Sequence, residues 1–358
     1  MEEVESIARR KIDHITVCSE KNVVAGKNYL DLIQLVGESV SDFNFDEIDL
    51  SCSFLGKKLQ APIMIAAMTG GCAKGKELND IFATVAEEVG IGLAVGSQRA
   101  AIENPVFEDS YSVINKYSIP LILGNIGISQ IVLSENPKSL LTQLQSMINA
   151  DAIAIHCNLP QELSQPEGEL FSKGFWEKVL TVSSQVPLMI KETGAGITKK
   201  TAKKAAGAGF VAADTGSLGG TSFTAVEHYR LSEDSSPNKR NISNKLWTWG
   251  LPTPVSILET KPYLPVIATG GIRNGIDIAK SLVLGAEIAG IARELLIPAL
   301  NGVDPLRRRI AEIIYELKAV MFLTNCKSLK DLKNVRWFAK NRLKEWLVGL
   351  NHPWKSES

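Results

Sequence analysis

Eight short apolar runs recur along the chain, each separated from the next by a segment with helical patterning. They are PIMIAAM (62–68), IGLAVGS (91–97), IPLILGNI (119–126), DAIAIHCN (151–158), VPLMIKET (186–193), GFVAADTG (209–216), LPVIATGG (264–271) and AEIAGIAR (286–293). Pro or Gly introduces several of them, and most end in Gly, Asn, Thr or Ser. Runs that are apolar at consecutive positions suit strands covered on both faces, as in a parallel sheet. Between them, KELNDIFATVAEEVG carries apolar residues at Leu78, Ile81, Phe82 and Val85, while TKKTAKKAAGAG and NGIDIAKSLVLGA read as helices of small residues. Alternating β and α units in this number predict an α/β fold, a (β/α)8 TIM barrel. A doubly wound open sheet usually carries GxGxxG after its first strand, and this chain does not.

One domain accommodates the whole chain on this reading. Residues 1–61 form an N-terminal extension, 62–298 the barrel and 299–358 C-terminal helices, including RRRIAEIIYELKAVMF. Residues 231–260 form an insertion rich in Ser, Asn and Pro, long for an unstructured connection. Its two tryptophans, Trp247 and Trp249, suggest a lid that packs on something when closed.

Bulk properties exclude several function classes. Lys plus Arg equals Asp plus Glu at 39 each, which offers no electrostatic case for a nucleic-acid or membrane-surface protein. The opening MEEVESIARRKID lacks the apolar stretch of a secretory signal, and no apolar run approaches a membrane span. The five cysteines are scattered without a CxxC pair, so a disulfide scaffold is not expected and a reducing cytoplasm fits. Cys157 alternates with His156 and reads as packing. Four histidines without HxH or HExxH spacing argue against zinc.

Barrel enzymes place their chemistry at the carboxyl ends of the strands. There the chain offers AAMTGG, GSQR, GNIG, HCNLPQE, IKETG, DTGSLGGTS, ATGGIRNG and GIAREL. Glycine-and-arginine loops after the seventh and eighth runs, with Arg273 and Arg293, match the usual phosphate site of such barrels. Lys191 sits in the mouth, where a cation is costly unless it meets an anion. It could pair with Glu192, face an electron-rich flavin ring, or form a Schiff base. Glu162 could hold magnesium with help from a bound phosphate. Arg9, Arg10, Lys11 and His14 of RRKIDHI, together with Ser97, Gln98 and Arg99 of GSQR, exceed the positive charge one phosphate needs. A second anionic ligand is implied.

In this order, and preceded by RRKIDH, the segments AAMTGG, GSQR, HCNLPQE, IKETG, GGTSF and ATGGIRNG resemble those of the type 2 isopentenyl diphosphate isomerases. The resemblance implies an FMN-dependent barrel enzyme that interconverts isopentenyl and dimethylallyl diphosphate. It also implies reduced FMN acting in proton transfer without net redox, Mg2+, NADPH as reductant, and a homo-oligomer, tetramer or octamer. Carried onto this chain, it implies that Arg10, Lys11, His14, Ser97, Gln98, Arg99, His156, Asn158 and Gln161 bind the substrate. Glu162 would bind Mg2+. FMN would meet Ala67, Met68, Thr69, Ser97, Asn125, Lys191, Thr221, Gly271, Ile272, Arg273, Ala292 and Arg293. Gln161, Lys191, Glu227 and His156 would serve the chemistry, with Glu227 helping to protonate or relay. Two positions depart from the pattern: Thr215 where a serine is expected, and Glu294 where a proline is commoner. The alternatives are a flavin oxidoreductase of the same fold, such as a hydroxy-acid oxidase or dihydroorotate dehydrogenase, or a non-catalytic FMN-binding barrel. An inosine-monophosphate-dehydrogenase-like enzyme would need a cysteine that GSLGGTS lacks.

Overall fold

The computed structural model of the protein describes residues 2–232 and 235–356, with side chains from residue 7 onward. Three short strands come first: β1 (Ile33–Leu35), β2 (Cys52–Phe54) and β3 (Lys57–Leu59). Eight follow, one within each apolar run: β4 (Ile63–Ile65), β5 (Gly92–Ala94), β6 (Ile122–Gly127), β7 (Ala152–Cys157), β8 (Leu188–Glu192), β9 (Ala212–Asp214), β10 (Val266–Ala268) and β11 (Ile288–Ile291). These eight pair in parallel and close on themselves, β11 returning to β4, as the sequence predicts.

Strict alternation divides the strand residues between two cores. Met64, Leu123, Met189, Ile267 and Ile288 point inward and interlock with small Ala94, Ala152, Ala154 and Ala212. Their neighbours Ile63, Ile65, Ile153, Ile155, Leu188, Ile190 and Val266 point outward beneath the helices. The antiparallel hairpin of β2 and β3 stops the barrel floor, adding Phe54 and Leu59 to the inner core. Only the carboxyl end is therefore open.

The helices follow the predicted periodicity. Helix Ala73–Val89 buries Leu78, Phe82 and Val85, leaves Ile81 half-buried, and ends at Gly90 with φ +70°. A left-handed position of that kind favours glycine. Helix Gly275–Val283 begins where helix Val303–Leu323 crosses it so closely that a Cβ on Gly275 would lie 2.2 Å from the Leu317 amide nitrogen.

Three organisational expectations change. The stretch 231–260, whose composition resembles a loop, is largely folded: its described residues include helices Pro237–Leu246 and Thr253–Thr260. The second is buried along its length, because it is the helix that returns β9 to β10 along the barrel wall. The helical layer around the barrel also runs past residue 298, since the long helix Val303–Leu323 packs on helices Gly275–Val283, Arg293–Ala299 and Ala73–Val89. Finally, the C-terminal region is not wholly helical. It holds β12 (Trp337–Ala339), which pairs antiparallel with β1 and ties the two ends of the chain together.

Helix Glu2–Glu20 lies across the open end. Ile7 packs against Ala100 and Phe107, and Val17 and Cys18 pack against Val23, Ala225 and Val226. RRKIDHI is thus part of the mouth's cover and not a solvated helix start.

Candidate active site

A cavity of about 250 Å³ fills the carboxyl end of the barrel. Ala67, Met68 and Thr69 border it after β4, and Ser97 and Arg99 after β5. Asn125 of β6, His156 of β7 and Lys191 of β8 form its floor and wall, with Asn158, Gln161 and Glu162 just beyond β7. Thr221, Gly271, Ile272, Arg273, Ala292 and Arg293 complete the far side, and Arg10, Lys11 and His14 come from the helix above. No described residue of 231–260 borders this cavity. Trp247 and Trp249 instead line a small crevice beside Gln161 and Gly194.

Strand register explains why His156 and Lys191 meet. His156 pairs across with Lys191, and Lys191 with Asp214, so all three share one inward layer. On the other flank His156 faces Gly127, where a Cβ would lie 3.0 Å from its Nε2. Glycine here makes room for the ring. Asn125 Nδ2 donates to the Val95 carbonyl, which turns its Oδ1 toward His156 Nδ1 at 2.8 Å. Nδ1 must then carry the proton, leaving Nε2 a bare acceptor. Burial, with the Lys191 charge second, pulls the His156 imidazolium down to about 3. The free site therefore favours the neutral imidazole at physiological pH.

Lys191 is paired, but not with the Glu192 carboxylate. Its Nζ donates to Asp214 Oδ2 at 2.7 Å and to the Glu192 carbonyl at 3.2 Å. The Glu192 carboxylate instead gathers the amides of Thr193, Gly194 and Ala195 and shapes the loop after β8. Burial raises this carboxyl to about 7, against the pull of those three amides.

The stretch HCNLPQE folds into β7 and helix Leu159–Ser164, with Pro160 in its first turn. Asn158 and Glu162 are one turn apart, and Asn158 Nδ2 reaches Glu162 Oε1 at 2.7 Å. Glu162 Oε2 accepts the Glu169 amide at 2.7 Å. Burial raises the Glu162 carboxyl, and that amide opposes the shift. Gln161 Nε2 donates to Glu227 Oε1 at 2.9 Å, and His14 Nε2 meets the same oxygen at 3.0 Å. Arg230 holds the other Glu227 oxygen. Burial disfavours the Glu227 charge, but His14, Arg230 and Gln161 outweigh it and hold the carboxyl well below its ordinary value. An ionised Glu227 requires His14 to present Nε2–H.

Several expected roles are corrected by this geometry. Gln98 does not border the cavity. It is fully buried, accepting the Asn125 amide and donating to the Leu144 carbonyl, because the strand end turns its side chain between β6 and the helix behind. Glu227 is fully buried behind the cavity lining and reaches it through Gln161 and His14. The glycines after β9 and β10 chiefly let two loops touch. A Cβ on Gly271 would meet the Gly219 carbonyl at 2.3 Å, and one on Gly270 the Ser217 carbonyl at 2.4 Å. Thr215 spends its hydroxyl on the Thr269 carbonyl, and Glu294 lies 4.0 Å from Arg273.

Amides at Ile272, Ala292 and Arg293 meet no protein acceptor among the described residues. Arg273 and Arg293 flank them, Arg293 Nε also donating to the Cys18 carbonyl at the end of the covering helix. These donors suit a phosphate. Arg10 and Lys11 of the covering helix and Arg99 after β5 line the same cavity. Lys11 is pulled down to about 8, first by burial and then by Arg10. An anion there would pull it back up.

Four contributors escaped sequence reasoning: Asp214, Glu169, Arg230 and Asn28. Asp214 had a signal, since it shares strand parity with inward-facing Ala212. Asn28, whose Nδ2 donates to the Gly271 carbonyl at 2.5 Å, lies 243 positions from its partner and had none.

A family model described as FMN-dependent dehydrogenase matches residues 251–338. Among known proteins, the isopentenyl-diphosphate delta-isomerase of Archaeoglobus fulgidus is 41% identical over 345 residues, covering 96% of this chain and 99% of its own. The protein of that name from Methanococcus maripaludis is 40% identical over 350 residues, with 95% and 98% covered. Among solved structures, a mandelate oxidase with a monooxide FMN adduct superposes with a TM-score of 0.60 at 16% identity, covering 94% of this chain and 100% of the other. A flavocytochrome b2 with sulfite bound gives 0.63 at 17%, with 93% and 84% covered. At such identity these structures speak for the fold alone.

Proposed function

The chain belongs to the isopentenyl-diphosphate delta-isomerase family, and from that premise we propose that it interconverts isopentenyl and dimethylallyl diphosphate beside a reduced FMN. One observation carries the reading. A single cavity has two cationic groups: Arg273 and Arg293 beside unpartnered amides after β10 and β11, and Arg10, Lys11 and Arg99 on the covering helix and after β5. Two phosphate esters, one of a cofactor and one of a substrate, suit that arrangement.

The residues present fit FMN. Arg273, Arg293 and the amides of Ile272 and Ala292 would hold its phosphate, Thr221 would face the ribityl chain, and Ala67, Met68, Thr69, Ser97, Asn125 and Lys191 would meet the ring. When bound in reduced form, FMN would supply an electron-rich face and an exchangeable proton. Magnesium fits only as a shared site. No cluster of three His, Cys, Asp or Glu side chains occurs among the described residues, but Mg2+ accepts one carboxylate with phosphate oxygens and water. Glu162 would be that carboxylate.

The chain's own groups do the rest. Arg10, Lys11 and Arg99 would bind the diphosphate and spend remote binding energy on orienting the five-carbon chain. His156 would offer Nε2 as an acceptor, and Asn158 and Gln161 would line the hydrocarbon. The amide of Gln161, held by Glu227 and Asn158, is too weak a base to abstract a carbon-bound proton, but it can fix the position of one. Helix Glu2–Glu20, through Ile15 and Cys18, covers the cavity and would keep water from a carbocation. NADPH is proposed as the priming reductant, and association into a homo-oligomer is proposed with it.

The deciding experiment supplies reduced FMN, Mg2+ and either C5 diphosphate to the purified protein. Equilibration of the two isomers with NADPH unspent is expected. NADPH consumed in proportion to product would make it a flavin oxidoreductase instead.

A further inference from the structure

The Lys191 ammonium has three N–H bonds to place. One goes to Asp214 at 2.7 Å and one to the Glu192 carbonyl at 3.2 Å. The third is left for the cavity, which Lys191 borders. Asp214 is 3% exposed and does not border the cavity itself. Its second oxygen accepts the Thr269 hydroxyl proton, and that hydroxyl accepts the Gly216 amide at 2.7 Å. The Thr269 backbone is in turn bonded on both sides to the Thr215 hydroxyl. A carboxylate anchored this firmly, on groups from β9 and the end of β10, holds the ammonium in one orientation.

We propose that Asp214 is a positioning residue for Lys191, aiming a single N–H into the cavity and partly offsetting its charge. It thereby sets how strongly the site prefers reduced, anionic flavin over oxidised flavin. This rests on the flavin reading above. Asp214 acts through Lys191 and touches no ligand.

The test uses Asp214→Asn, which keeps an oxygen for Lys191 and removes the charge. Dissociation constants for oxidised and reduced FMN are measured anaerobically on the full-length protein. Removing one negative charge beside Lys191 is expected to raise the reduced-over-oxidised preference by about tenfold. A role confined to folding would weaken both states alike, and an unmoved ratio overturns the proposal. In a Lys191→Met background the same change is expected to move the ratio less. Equal movement there would show Asp214 acting on the ring directly and would also overturn it. Should the Asn variant not fold, Asp214→Glu keeps the charge and displaces the carboxylate. It is expected to weaken reduced-flavin binding at least threefold, and unchanged binding overturns the proposal. Wild-type protein that takes up no flavin in either state defeats the functional reading and this inference together, an outcome distinct from a bound flavin with an unmoved ratio.

Discussion

The guanidinium of Arg99 grips the carboxylate of Glu169 with both prongs, Nη1 to Oε2 at 3.0 Å and Nη2 to Oε1 at 2.8 Å. The same residue gives its amide to Glu162, so one side chain and one peptide group join the proposed phosphate cation to the proposed magnesium carboxylate. Gln130 steadies Glu169 Oε2 at 2.9 Å. Arg99 also gives its Nε to Glu103, one helical turn away. In Glu169→Ala, Arg99 is expected to fall toward Glu103 and away from the cavity. Loss of a charge-assisted pair predicts a roughly tenfold rise in KM for the C5 diphosphate and a smaller change in kcat. Steady-state kinetics check this, and an unchanged KM would remove Glu169 from the site.

Gln98 answers to a different measurement. Its removal strands the Asn125 amide in the interior and takes a second donor from the helical Leu144 carbonyl. Gln98→Ala is therefore expected to cost about 2–4 kcal/mol of stability, with KM moved less than threefold. Denaturant unfolding beside kinetics decides it. A large rise in KM at full stability would return Gln98 to the substrate.

Lys11 predicts a pH limb. In the free enzyme burial and Arg10 bring it to about 8, so it is charged below that pH and neutral above it. The charged form binds the anion. Substrate kcat/KM, which reports free-enzyme ionisations, should decline as pH rises through about 8. Lys11→Met should start lower and lack that decline. A limb that persists in the variant belongs to another group.

The barrel floor offers a control far from the chemistry. Leu59 is fully buried against the inner core, on the hairpin at the closed end. Leu59→Ala should cost about 2–5 kcal/mol through the cavity it leaves, with kcat and KM preserved at temperatures where the protein stays folded. Thermal unfolding and kinetics together check the separation.

The eight strands were legible because each is a local pattern. Consecutive apolar residues such as Ile153, Ala154 and Ile155 state that both faces are covered before any partner is known. The same periodicity identifies which loops follow the strands, and hence that Arg99, His156, Lys191 and Arg273 share one end. The helices at 237–246 and 253–260 were harder. Their Ser, Asn and Pro content resembles a loop, and only packing against neighbouring elements overrides that bias.

What could be read without coordinates was thus the barrel, its open end and the cationic character of that end, since period and strand parity are carried by near neighbours in the chain. The partners were decided in space. Asp214 beside Lys191, Glu169 on Arg99, His14 on Glu227 and the helix Glu2–Glu20 across the mouth join residues 23, 70 and 213 positions apart, or whole ends of the chain. Such contacts leave no periodic trace. They arise from barrel closure and register, which also turned Gln98 away from the cavity, where its position in GSQR suggested the mouth.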